Sequence, residues 1–330
     1  MRKIATLVRV TSSTLLLAAG LWAQSFVATP LNDLSRGRYK GFEGGLYEDG
    51  SNTVPSEHHR DGLALAAQVK PVRGKLVLLA IGMSNAAMEF STFQQIIEGD
   101  SRVNHGSLVV INGARGAMTG CAWTSAQETP NQAGCNMPRF LPNQYQRIRD
   151  DLLKPSGLSE DQVEVIWVKN ADPRPQMALP SENAEAYEYE RYIGEMARAA
   201  RARYPNLKLM FITSRIYAGY ASTPLNPEPY AYEYGFSVKW AIQAQIDQMR
   251  TAKVDRIAGD LDYKKGVAPW IAWGPYIWAD GTKPRSDRLT WAADEYMPDG
   301  THPNPKGREK VAQLLRDFFL NSPYTSWFQK

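Results

Sequence analysis

Residues 75–82 read Lys-Leu-Val-Leu-Leu-Ala-Ile-Gly, an apolar run without alternation. A strand with one wet face alternates apolar and polar residues, whereas a strand covered on both faces does not. A sheet built from such strands needs a layer on each side, and crossover helices between parallel strands supply both layers. The rest of the chain repeats the theme. Segments 107–112, 163–169, 207–213 and 269–273 read as further strands. Segments 86–98, 144–153, 182–204, 236–251 and 305–320 read as helices. Within 182–204, Glu188, Glu190 and Glu195 precede Arg198 and Arg201, a favourable charge order along a helix. Asn304 is placed to cap the last helix. The expected fold class is α/β, a three-layer α/β/α domain with a five-stranded, mainly parallel sheet. Ligands of such open sheets bind beyond the C-terminal ends of the strands.

A chain of 330 residues, 43% hydrophobic, can bury one sizeable core. Its first 23 residues read as an export signal. Arg2, Lys3 and Arg9 precede the apolar stretch 15–22, which is too short to cross a bilayer. A short membrane anchor is the alternative. Cleavage after Ala23 implies a secreted or periplasmic protein. It removes three basic and no acidic residues, so the formal charge falls from +4 to +1. No electrostatic case for a nucleic-acid partner remains. No later apolar run is long enough for a membrane span, so no membrane partner is expected after cleavage. Residues 24–72 are polar and glycine-rich, with turn chemistry around 41–47 and no sustained period. They are expected to form an ordered extension packed on a main domain at 73–330. Cys121 and Cys135 flank a loop rich in Gly, Pro, Asn and Thr. In an exported chain that pair reads as a disulfide, with two free buried thiols as the alternative.

Acyl transfer needs a nucleophile, a base, a group that orients the base, and donors for an oxyanion. Histidine is scarce here: His58, His59, His105 and His302. The first two lie in a charged loop without a metal-ligand pattern around them, and His105 precedes a strand, at the wrong end of the sheet. His302 carries Asp299 three residues before it in the turn-rich Asp299-Gly300-Thr301-His302. That spacing lets the carboxylate fix the imidazole tautomer while the other ring nitrogen faces a nucleophile. Ser84 follows the first apolar run in Gly82-Met83-Ser84-Asn85. It reads both as a helix cap and as a nucleophile, and the two roles are compatible because a helix N-terminus favours developing negative charge. The last glycine of a Gly-x-Ser-x-Gly elbow is absent, since Ala86 stands there. Gly116 and Asn170 also fall just beyond predicted strands.

These blocks, in this order, resemble the SGNH (GDSL-like) hydrolase superfamily. Its members carry a nucleophilic Ser after the first strand, a Gly after the second, an Asn after the third and a C-terminal Asp-x-x-His. The resemblance spans most of residues 75–320 and implies a flavodoxin-like SGNH fold. Gly82-Met83-Ser84-Asn85 is similar to the Gly-x-Ser-Asn version of the sialate and xylan O-acetylesterase branch, with Met83 where Asp is familiar. In Val110-Ile111-Asn112-Gly113-Ala114-Arg115-Gly116 the resemblance points to Gly116 as an oxyanion donor, with Gly113 as the runner-up. In Val168-Lys169-Asn170-Ala171 it points to Asn170, although Lys169 replaces the usual Gly. The implied catalytic set is Ser84, Asp299 and His302, with an oxyanion hole from Ser84, Gly116 and Asn170. The implied mechanism is double displacement without metal or cofactor.

For the substrate, Trp123, Trp270, Trp273, Trp278, Trp291 and Tyr276 fall mostly in loop-like sequence. Aromatic faces in loops suit stacking on sugar rings, and core packing is the alternative for each. The expectation is a secreted serine esterase acting on O-acyl, chiefly O-acetyl, esters of carbohydrate. A general small-acyl carboxylesterase and a non-catalytic sugar-binding protein are the rivals. The expected partner is a small-molecule or glycan ester.

Overall fold

The computed structural model describes residues 26–127 and 143–330. The strands are β1 (Leu76–Gly82), β2 (Leu108–Asn112), β3 (Val163–Lys169), β4 (Leu209–Ile212) and β5 (Trp270–Trp273). They form one parallel sheet in the order β2-β1-β3-β4-β5, that of flavodoxin-like doubly wound folds. Every residue of β1, β3, β4 and β5 is buried, as the apolar character of β1, β4 and β5 requires, and β3 buries Glu164 and Lys169 among its apolar residues. Edge strand β2 is mostly half-buried. The α/β/α class expected from the sequence is the one found.

The helices are α1 (Ser56–Ala66), α2 (Ser84–Glu98), α3 (Glu185–Arg203), α4 (Tyr230–Thr251) and α5 (Pro305–Asn321). Helices α2 and α5 pack together, as do α3 and α4. Trp167 of β3 stacks on Phe90 of α2 at 5.3 Å, and Phe211 of β4 meets Phe318 of α5 edge-on at 5.1 Å. Side chains alternate along a strand, so Lys169, two residues after Trp167, points to the same α2 side. Across α3 and α4, Tyr189 and Tyr234 lie 4.7 Å apart. Asn304 caps α5 as expected, its side chain accepting from the Lys306 and Gly307 amides at 2.9 and 3.2 Å.

Three elements depart from the sequence reading. Residues 24–72 showed no period, yet they contain α1 and a two-residue hairpin, Arg38–Tyr39 with Phe42–Glu43. The buried stripe of α1 is His58, Gly62 and Ala66, which has helical spacing but no large aliphatic residue to register it. A Cβ on Gly62 would overlap the Trp270 ring, so the small residue is what lets the helix lie against β5. Helix α4 starts at Tyr230 rather than 236, because buried Tyr232 and Tyr234 outweigh a weak local propensity. Segment 144–153 is one α-turn, Gln144–Arg147, continued as a wider π-turn, Ile148–Leu153. The export signal and Cys135, hence the expected Cys121–Cys135 bridge, lie outside the described residues. Among the described residues no helix is long and apolar enough to cross a membrane.

Candidate active site

Reversal of strand order between β1 and β3 makes a topological switch point at their C-terminal ends, the place where open sheets of this kind bind ligands. Gly82 ends β1 with φ +152°, and a Cβ there would overlap the Lys169 carbonyl oxygen on β3. Only glycine lets the chain turn out of the sheet at that point. Met83 is extended and buried, and Ser84 opens α2 without a side-chain cap. The amides of its first turn therefore have no intrahelical acceptors.

The second half of the site comes from the loop before α5. The His302 Nε2 atom lies 2.8 Å from Ser84 Oγ, although 218 positions separate them in the chain. His302 Nδ1 lies 2.5 Å from Asp299 Oδ2. The other carboxylate oxygen accepts the Thr301 and His302 amides, each at 3.0 Å. Burial pushes the Asp299 carboxyl up, but the His302 ring and these two amides outweigh it and hold it below the usual carboxylate value. Gly300, at φ +64°, packs so that a Cβ would overlap the Tyr220 carbonyl. The Asp299 carbonyl accepts the Ser222 amide at 3.0 Å. Segment 217–222 thus braces the loop from behind.

The two candidate glycines differ. The Gly113 amide donates to Ala80 O at 2.9 Å, and a Cβ there would be 2.7 Å from Ile148. It is a packed turn residue with its donor occupied. Gly116 faces open space, and its amide has no acceptor among the described residues. The Arg115 amide donates to Gly82 O at 3.1 Å, which brings this loop beside the turn at 82–84. Asn170 follows Lys169, the register partner of Gly82. Its amide nitrogen donates to Met118 O at 3.2 Å and its oxygen accepts the Ala171 amide at 2.8 Å, leaving one N–H.

The remaining histidines lie elsewhere. His58 stacks on Trp270 at 4.7 Å and bonds Ile271 O at 2.9 Å. His59 meets the Tyr324 hydroxyl at 2.6 Å, and His105 meets Asp100 O at 3.0 Å. Among the described residues no group of three or more His, Cys, Asp or Glu side chains could hold a metal. The tryptophans follow the core-packing reading rather than the sugar-stacking one. Trp123, Trp270, Trp278 and Trp291 are fully buried and Trp273 nearly so, each with its indole N–H on an internal acceptor. They pack inside the domain, Trp270 and Trp273 as the two ends of β5, and offer no face to a sugar; Tyr276, also buried, accepts the Leu31 amide at 3.1 Å.

Several residues of this edge escaped the sequence reading. The buried Asn85 side chain donates to Thr301 O at 3.1 Å, tying α2 to the Asp299–His302 loop. Lys169 Nζ contacts both Glu89 oxygens at 2.5 and 2.6 Å, with both side chains fully buried. A lysine closing the apolar run 165–168 is the signal that could have found this pair. Arg215 lies beyond β4 and is 1% exposed.

Fold and site together define a doubly wound α/β protein with a Ser–His–Asp relay at its switch point. An arrangement of this kind can deprotonate a hydroxyl and stabilise the imidazolium that results. No family model and no curated protein matches the chain. Two solved structures are similar to it. One is a candidate GDSL-like lipase from Parabacteroides merdae, 13% identical, covering 76% of this chain and 97% of that one at TM-score 0.38. The other is a candidate platelet activating factor from Streptococcus pneumoniae, 14% identical, covering 79% and 92% at TM-score 0.32. Neither is described as a sialate or xylan O-acetylesterase.

Proposed function

We propose that the protein is a serine esterase that hydrolyses O-acyl esters by double displacement. The observation that carries this reading is the relay itself, 2.8 Å from Ser84 Oγ to His302 Nε2 and 2.5 Å from His302 Nδ1 to Asp299 Oδ2. With its proton on Nδ1, bound to Asp299, His302 presents a bare Nε2 to the serine hydroxyl. Ser84 Oγ attacks the ester carbonyl as its proton passes to Nε2. His302 then gives that proton to the departing alkoxide, leaving an acyl-enzyme. Water repeats the sequence and releases the acid. The Ser84 and Gly116 amides and the remaining Asn170 N–H are the donors assigned to the oxyanion. No step calls for a metal or cofactor.

Within that class the substrate is proposed to be an O-acetyl ester on carbohydrate, met outside the cytoplasm after removal of residues 1–23. Its support is the Gly82-Met83-Ser84-Asn85 block; the buried tryptophans add none. The deciding experiment compares purified protein on an aryl acetate, aryl esters of longer acyl chains and an O-acetylated glycan, with Ser84→Ala as control. Acetyl release that vanishes in the variant, by on the order of a millionfold in turnover, is expected. Preference for longer chains would make the protein a general carboxylesterase. Turnover of none of the three, with no organophosphate labelling of Ser84, would refute the esterase reading.

A further inference from the structure

Arg215 is a buried cation that no carboxylate touches. Its Nε donates to Asn226 Oδ1 at 3.1 Å, while Nη1 and Nη2 have no partner among the described residues. The nearby acids are engaged elsewhere. Glu89 places both oxygens on Lys169. Glu228 accepts the Ala218 amide, the Tyr232 amide and the Trp278 indole at 2.9, 3.0 and 2.7 Å. Burial pushes the Asp172 carboxyl up to about 8, which disfavours its charged form. An unpaired guanidinium in the interior is costly to the fold.

Its position suggests what the charge serves. The Thr213 amide donates to Val168 O at 2.8 Å, continuing the β3–β4 pairing past Ile212. Arg215 follows two residues later, past the C-terminal end of β4, on the sheet edge that Asn170 and Ala171 also leave from β3. On the other flank of β3, Gly82 pairs with Lys169 and leads into Ser84. Gly82 and Thr213, on either flank of the end of β3, are two strand spacings apart, about 10 Å.

We propose that Arg215 is an electrostatic positioning residue whose unpaired charge stabilises the negative charge developing on the ester oxygen at Ser84. The proposal rests on the esterase reading. A unit charge about 10 Å away, at an effective dielectric near 20, changes a rate roughly tenfold.

Asn226→Asp tests it. The substitution is nearly isosteric, and position 226 has φ +52°, which Asp tolerates. It sets a carboxylate against Nε without removing the arginine. The expected result is opposite movement: a higher Tm, because the buried cation gains a partner, and a kcat roughly tenfold lower with KM within about twofold. Asn226→Ala, which removes the hydrogen bond but adds no charge, is expected to keep kcat within about threefold. A purely structural role predicts no kcat loss in the stabilised Asp variant. Unchanged kcat in Asn226→Asp would overturn the proposal. So would equal kcat losses in the Asp and Ala variants. Failure of the wild type to hydrolyse any ester would instead refute the esterase reading beneath it.

Discussion

At the residue scale, Asp299 does two jobs with two oxygens. One accepts from the imidazole, and the other holds the turn through the Thr301 and His302 amides. Asp299→Asn keeps the shape but loses the charge that stabilises the imidazolium. Turnover is expected to fall by up to about ten-thousandfold, read as kcat at saturating ester while circular dichroism stays native. Asn170→Ala removes a neutral donor and is expected to lower kcat by roughly a hundred- to a thousandfold. An unchanged kcat would leave Asn170 as the residue that joins Met118 O to the Ala171 amide. Ser84, Asp299 and His302 were legible in the sequence because each sits in a short block with a local signal. Arg215 and Lys169 were not. Their side chains are cationic, and cations are read as surface until the fold places them inside.

At the scale of elements, two glycines decide whether the relay assembles. Gly82 lets β1 turn beside Lys169, and Gly300 lets the Asp299–His302 loop pass Tyr220. Gly300→Ala strains a left-handed position and drives Cβ into backbone. A loss of about 1–3 kcal/mol in unfolding free energy is expected, along with most esterase activity. Denaturant unfolding and ester turnover on the same preparation check both halves. The strands were legible because unbroken apolar runs have few other fates. Helix α1 was not, because its buried stripe of His58, Gly62 and Ala66 depends on the Trp270 ring it meets.

At the scale of the whole molecule, α1 ties stability to pH. His58 is 3% exposed, and burial pulls its pKa from 6.5 down to about 4. Between those values the unfolded chain binds a proton that the folded chain refuses. The stabilisation is complete above pH 6.5 and is lost as pH falls towards 4. The loss amounts to about 3 kcal/mol. Urea unfolding at pH 7 and pH 4 is expected to show His58→Gln losing about 3 kcal/mol less than the wild type over that range. Equal losses would place the acid sensitivity elsewhere.

By itself the sequence determined the layers of this protein, the five strands and the three residues of the relay. Unbroken apolar runs demand cover on both faces, and an Asp three residues before a His in a turn needs only local geometry to meet it. Only the tertiary structure decided which glycine amide stays open, that the tryptophans pack inside the domain, and that Lys169, Glu89 and Arg215 lie beneath the site. Those outcomes depend on burial. Burial belongs to contacts between residues far apart in the chain, and no short stretch of sequence records it.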